Sequence, residues 1–370
     1  MMLDRAEQLG FHTYCLSEHV PRQHDSELYP EEIEEGIRPY ELMQRWRGYL
    51  AEAKRQQKLR KQIRVLVGAE TENLTPSTLR WLKESVLDTT AQVSDGALVG
   101  KGVIDYLVGS VHHAGGHTHA FSSCEPLAIS IDFDEPTFRR ALRHFGASGE
   151  QDPENSTEAH LRMTMAYLDA QHQLLNDFRP EVIGHFDLCR LFKPTARLVL
   201  GSTETGTVHP TSSLAITIEA AVMRNICLAI SYGALFEINS ASLRKGWQTP
   251  YPGSDVLRRI LDLGGRVCLS DDAHGIAHVA IGYARSREYL KEMGVERIWH
   301  LELQDGSEEA GNASQNDCEV GEDGAPIRFP RGTKAVSDPD WYDSPFWSNL
   351  DAGTLAEAAK MPYFATPASL

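Results

Sequence analysis

The chain has 370 residues, 41% of them hydrophobic, and a formal net charge of -16 at pH 7. That balance excludes nucleic acid or an anionic membrane as the main partner, since both select basic faces, but it allows a phosphorylated small molecule held by a few local cations or metal ions. The length supports one sizeable core, and the six cysteines (Cys15, Cys124, Cys189, Cys227, Cys268, Cys318) stand apart without a CxxC pair, as reduced intracellular thiols do.

From the N-terminus, the stretch 1–10 is charged and lacks the apolar run of a secretory signal. No segment is expected to reach the ~20 apolar residues of a membrane span, so a soluble, cytoplasmic protein is expected. Short apolar, β-branched runs then recur at 13–16, 63–67, 106–108, 182–183, 235–238 and 266–269. Helical periodicity fills 40–61, 158–178, 214–231 and 254–263. This alternation predicts parallel βαβ units closing into a barrel or a doubly wound α/β sheet. The Gly/Ser/His-rich 114–129, the polar 147–157 and the Thr/Ser/Gly-rich 201–213 read as surface insertions. From 303 to 339 the chain is acidic and rich in Gly, Asn and Ser, which predicts a disordered linker. Beyond it, Trp341 and Trp347 are expected to dock back on the body. The expected division is a catalytic body at 1–298 and an acidic, largely disordered extension at 299–370.

The chemistry lies just after the apolar runs. They lead into Ser17-Glu18-His19, Gly68-Ala69-Glu70, Val111-His112-His113, Gly184-His185-Phe186-Asp187 and Ser270-Asp271-Asp272-Ala273-His274. In a parallel α/β fold these strand ends share one face, where active sites are built. Alternation lets Asp272 and His274 point the same way, and likewise His185 and Asp187, whereas His112 and His113 are not expected to point inward together. Histidine with carboxylate and without cysteine suits Zn²⁺, Mn²⁺ or Fe²⁺, and more than four such ligands on one face predict two or three metals in a hydrolytic site. His117-Thr118-His119 has metal-like spacing but no preceding strand, and reads as a loop feature.

Taken in order, FHTYCLSEHVPR, VLVGAETE, LVGSVHH with SIDFDE, VIGHFDLCRLF, FEINSASLRKGWQTPYP and VCLSDDAHG resemble the signature blocks of histidinol-phosphatases of the PHP (polymerase and histidinol phosphatase) family. The resemblance runs from Gly10 to about Tyr283. It implies a distorted (β/α)7 TIM-like barrel with a trinuclear metal centre. His19, Glu70, His112, His185, Asp272 and His274 match family metal ligands. Arg190 and Arg244 match phosphate-binding basic residues, a role the planar guanidinium fork suits. Arg22, His113 and Lys245 are further substrate-side candidates, and Asp187 or Glu237 could meet the cationic part of the substrate. The implied reaction is hydrolysis of L-histidinol phosphate to L-histidinol and phosphate in histidine biosynthesis, by direct attack of metal-bound hydroxide.

The chain departs from the family pattern at its start. Family members open with an HxH strand, whereas Met1-Met2-Leu3-Asp4 already resembles the helix that follows it. The expectation is a barrel lacking its first strand, with unpaired edges, a weakened metal centre and poor activity. The alternative reading is a truncated or degenerate member that binds a small phosphate with little turnover.

Overall fold

Six parallel strands, in the order β1-β2-β3-β6-β7-β8, form the main sheet of the computed structural model, which describes residues 1–87, 103–115, 128–147, 149, 151–199, 213–304 and 320–350. They are β1 (Thr13–His19), β2 (Arg64–Glu70), β3 (Tyr106–Gly109), β6 (Val182–Ile183), β7 (Leu235–Asn239) and β8 (Arg266–Ser270). All six coincide with the apolar runs of the sequence. Strands β2, β3 and β7 are buried almost throughout, the mark of parallel strands covered on both faces.

The described residues include seven helices of eight or more residues: α1 (Met2–Leu9), α2 (Pro39–Leu59), α3 (Glu135–Phe145), α4 (Thr157–Phe178), α5 (Ser213–Ser231), α6 (Ser254–Asp262) and α7 (Tyr283–Glu292). Local sequence sets their ends. Pro39 occupies the first turn of α2, and the Glu41 carboxylate accepts the Arg38 N–H at 2.8 Å. Leu42, Trp46, Leu50 and Ala53 form the buried stripe of α2. Tyr49 Oη donates to the carbonyls of Leu16 (3.0 Å) and Gly68 (2.7 Å), tying α2 to both β1 and β2.

Several structural features differ from the sequence expectations. Helix α5 is long and apolar enough to cross a membrane, whereas no such segment was expected. It instead packs on α4 through Ile218, Val222, Asn225 and Ile226, with Asn225 Nδ2 donating to the Leu168 carbonyl at 2.8 Å. Both ends of the expected 114–129 insertion instead belong to antiparallel strands, β4 (His113–Gly115) and β5 (Ala128–Ser130). The His117-Thr118-His119 motif lies outside the described residues.

The expected disordered extension is likewise ordered over 320–350. Strands β9 (Ile298–Leu303) and β10 (Thr333–Asp338) form an antiparallel pair. Trp299, Leu301, Phe329 and Ala335 join Leu66, Tyr106, Val108, Val182, Leu235 and Cys268 in one apolar cluster. The sheet curls around this cluster, and the β9–β10 pair is its floor. Composition misread the stretch because its apolar residues alternate with polar ones, as they do in a strand covered on one face. Trp341 is buried and its carbonyl accepts Trp347 Nε1 at 2.6 Å, so both tryptophans dock as expected. A cavity of about 330 Å³ lies within the curl, lined by Cys15, Ser17, Glu237 and Trp299 among others. Strands β1 and β8 end the sheet and do not pair with each other.

Candidate active site

Register brings the first two candidate ligands together. His19 ends β1, Glu70 ends β2, and the two residues are directly paired across the parallel ladder. His112 follows β3 after an irregular turn, and His185 follows β6 after Gly184. The three histidines converge on the Glu70 carboxylate. His112 Nε2 and His185 Nε2 stand 3.5 and 3.3 Å from Glu70 Oε1, and His19 Nε2 is 3.7 Å from Glu70 Oε2. The His112 ring centroid lies 5.0 Å from that of His19 and 4.8 Å from that of His185.

This geometry fits divalent metal ions. The ligand atoms of His19, Glu70 and His112 all lie within 4.8 Å of one another. Borderline metals favour such imidazole and carboxylate donors. Burial alone would raise the Glu70 pKa, but the imidazoles of His19, His185 and His112 outweigh it and hold the carboxyl well below its usual range. Burial lowers His19 to about 4, so its ring is neutral and has a lone pair to give at neutral pH.

Glu72 is the residue that sequence reasoning missed. It is buried, and its Oε2 lies 2.9 Å from His112 Nδ1 and 3.1 Å from His113 Nδ1. One carboxylate thereby orients both rings, leaving His112 Nε2 aimed at Glu70. Tyr29 Oη donates to the same oxygen at 3.2 Å. The expectation that His112 and His113 could not point inward together assumed a regular strand. Strand β3 ends at Gly109, so alternation no longer applies at 112–113. The signal for Glu72 was present as the i, i+2 pair Glu70-Thr71-Glu72.

The remaining candidates separate by position. Asp272 sits at φ 48° in the turn after β8, and its side chain is about a quarter exposed (26%). His274 is 64% exposed at the rim, with Nδ1 2.9 Å from the Asp272 carbonyl, so the four-residue cluster does not include it. Arg244 braces the same turn: its Nη1 and Nη2 donate to the carbonyls of Asp271 (3.2 Å) and Asp272 (3.0 Å). Lys245 follows it, half-buried.

Arg190, expected at the phosphate, and Arg22, a further substrate-side candidate, both turn their guanidinium groups into the protein. Arg190 is buried, with Nε donating to Asp187 Oδ2 at 2.8 Å and Nη1 to Asp255 Oδ1 (2.9 Å) and the Ala196 carbonyl (2.8 Å). Its guanidinium occupies the space a Cβ at position 253 would need, which explains Gly253 there. Asp187 Oδ2 also accepts the Gly253 N–H at 2.8 Å, while its Oδ1 is buried without a partner in the protein. Arg22 is buried against Glu32, donates to the Val20 carbonyl at 3.0 Å and lies 4.2 Å over the Tyr29 ring. Each gives its donors to the protein, because a buried guanidinium must satisfy them internally. Glu237 stays available below His185: it accepts the His185 N–H at 3.1 Å, and burial raises its carboxyl to about 7.

Fold and site together define a parallel α/β protein with a histidine–carboxylate cluster at the C-terminal ends of its strands. Among known proteins, the chain is 33% identical over 303 residues to a "probable histidinol-phosphatase" of Schizosaccharomyces pombe, an alignment covering 81% of this chain and 83% of the relative. It is 30% identical over 320 residues to the histidinol-phosphatase of Saccharomyces cerevisiae, covering 81% and 85%. None of the protein-family models scanned matches it. The crystal structure of a "putative histidinol phosphatase" from Listeria monocytogenes superposes with a TM-score of 0.53 at 18% identity, covering 76% of this chain and 91% of that one, and so shares the fold. The chain belongs to the histidinol-phosphatases of the PHP family.

Proposed function

We propose that this protein hydrolyses L-histidinol phosphate to L-histidinol and phosphate in histidine biosynthesis, on a curled sheet of the (β/α)7 type. The observation that carries the reading is the convergence of His19, His112 and His185 on Glu70 at the strand ends, in a chain a third identical to a named histidinol-phosphatase. His19, Glu70, His112 and His185, with Asp272 and His274 from the rim, would hold two or three divalent ions (Zn, Mn or Fe). When bound, such ions supply Lewis acidity toward water and the phosphoryl oxygens.

The protein's own groups do the rest. Glu72 fixes the His112 and His113 rings before substrate arrives, so no reorganisation is needed during reaction. Arg244 and Lys245 bring positive charge to the rim beside Asp272, where a phosphoryl group would sit. Glu237 lies deeper, and its carboxylate form would attract the cationic end of the substrate. The test is phosphate release from L-histidinol phosphate with Mn²⁺ or Zn²⁺, with bound metal measured on the same sample. Turnover abolished by Glu70→Ala and by Arg244→Ala supports the reading. Bound metal without turnover supports instead a member that binds a small phosphate without hydrolysing it.

A further inference from the structure

A second histidine–carboxylate group lies at the opposite end of β1. His12 precedes the strand, and its carbonyl accepts the Arg64 N–H at 2.9 Å, which fixes its backbone at the start of β2. His300 and Glu302 stand two residues apart on β9, so both face away from the side that buries Trp299 and Leu301. One ligand atom from each of His12, His300 and Glu302 lies within 4.8 Å of the others. The His12 and His300 rings meet edge to face with centroids 5.8 Å apart.

We propose that His12, His300 and Glu302 form a second divalent transition-metal site, suited to zinc, that clips the floor to the start of the sheet. His300 Nε2 and Glu302 Oε1 are 3.4 Å apart, already near the ~3.3 Å that separates two ligands around a tetrahedral zinc. His12 Nδ1 lies 3.1 Å from Thr13 Oγ1, which leaves Nε2 for the metal. Arg64 pairs with the same Glu302 oxygen, holding the carboxylate in place beside the two imidazoles. The charge of Asp338 also reaches His300, so two carboxylates against one guanidinium leave the local field negative. Two imidazoles and one carboxylate leave the fourth position to water, a donor set zinc accepts.

This site is separate from the cluster around Glu70. His12 and His19 are seven residues apart along one extended segment, about 23 Å at the rise of a strand. Its role is structural. It joins residues nearly 290 positions apart in the chain, and an ion bound only by the folded state stabilises that state by mass action.

The experiment is equilibrium dialysis of the metal-stripped full chain against buffered free Zn²⁺, comparing the parent with His12→Ala and His300→Gln. The same samples are treated with diethyl pyrocarbonate and histidine modification is mapped by mass spectrometry. His12 is exposed, so its replacement leaves the core intact. The expected result is one fewer bound zinc in each variant, turnover at saturating metal within twofold of the parent, and zinc protection of His12 in the parent. In Glu70→Ala, that protection should persist, which separates this site from the catalytic reading. Equal zinc content in parent and variants, or His12 modified at the same rate with and without zinc, overturns the proposal.

Discussion

The two ends of the curled sheet handle charge in opposite ways. At the floor, ionic groups are matched: Arg331 Nη1 lies 2.7 Å from both oxygens of the fully buried Glu181, and Arg266 Nε and Nη2 donate to Asp323 at 2.7 and 2.6 Å. At the C-terminal rim, three imidazoles crowd one carboxylate, and the Nδ1 atoms of His19 and His185 are buried with no hydrogen-bond partner in the protein. Unpartnered buried polar atoms cost stability, and the floor also holds two, Arg331 Nε and Thr333 Oγ1, so the contrast rests on the three imidazoles gathered around one carboxylate at the rim. On the proposed function, the floor would carry stability and the rim chemistry.

The sharpest test of this contrast is Glu70→Ala. Removing the shared carboxylate should cut kcat/KM by roughly 10³-fold or more, while the unfolding midpoint of the metal-free protein changes little. A large loss of metal-free stability would break the comparison. At the floor, Arg331→Met strands the Glu181 carboxylate in the interior. Denaturant unfolding should show a loss of about 3–5 kcal/mol, with kcat unchanged wherever the protein is folded.

Glu72→Gln should have an intermediate effect. The amide can still reach one ring but loses the charge that orients both, and activity or metal affinity should fall by about 10–100-fold, read by steady-state kinetics against metal concentration. The smallest effect is on acid stability. Hydrogen bonding from Arg266 holds the Asp323 carboxyl below its ordinary range. A folded-state pKa below the unfolded one stabilises above the ordinary value of about 4 and loses that contribution as pH falls through the folded value. Asp323→Asn should therefore be less stable than the parent at pH 7, and the gap should narrow in thermal melts below about pH 4.

The six parallel strands were legible because each contains a short apolar run, buried almost throughout in β2, β3 and β7, a pattern that depends on local sequence. The floor pair was not, since Thr333 to Asp338 is mostly polar and becomes a strand only by pairing with β9 and covering the lumen. At the site, His19, Glu70, His112 and His185 were legible because strand ends share a face. Glu72 was visible only as the second carboxylate of Glu70-Thr71-Glu72, because it lies beyond the last paired residue of β2 and its role depends on where the fold brings His112 and His113.

The sequence by itself determined the parallel α/β architecture, the order of the ligand-bearing strand ends and the family. Apolar periodicity and residue type are local properties that survive without coordinates. Only the tertiary structure decided which charged groups face the site and which serve the frame. Arg190 and Arg244 look alike in sequence, yet one is enclosed by Asp187 and Asp255 while the other braces the rim turn. A guanidinium's role depends on which acceptors the fold brings within hydrogen-bond reach, and those acceptors come from residues far away in the chain.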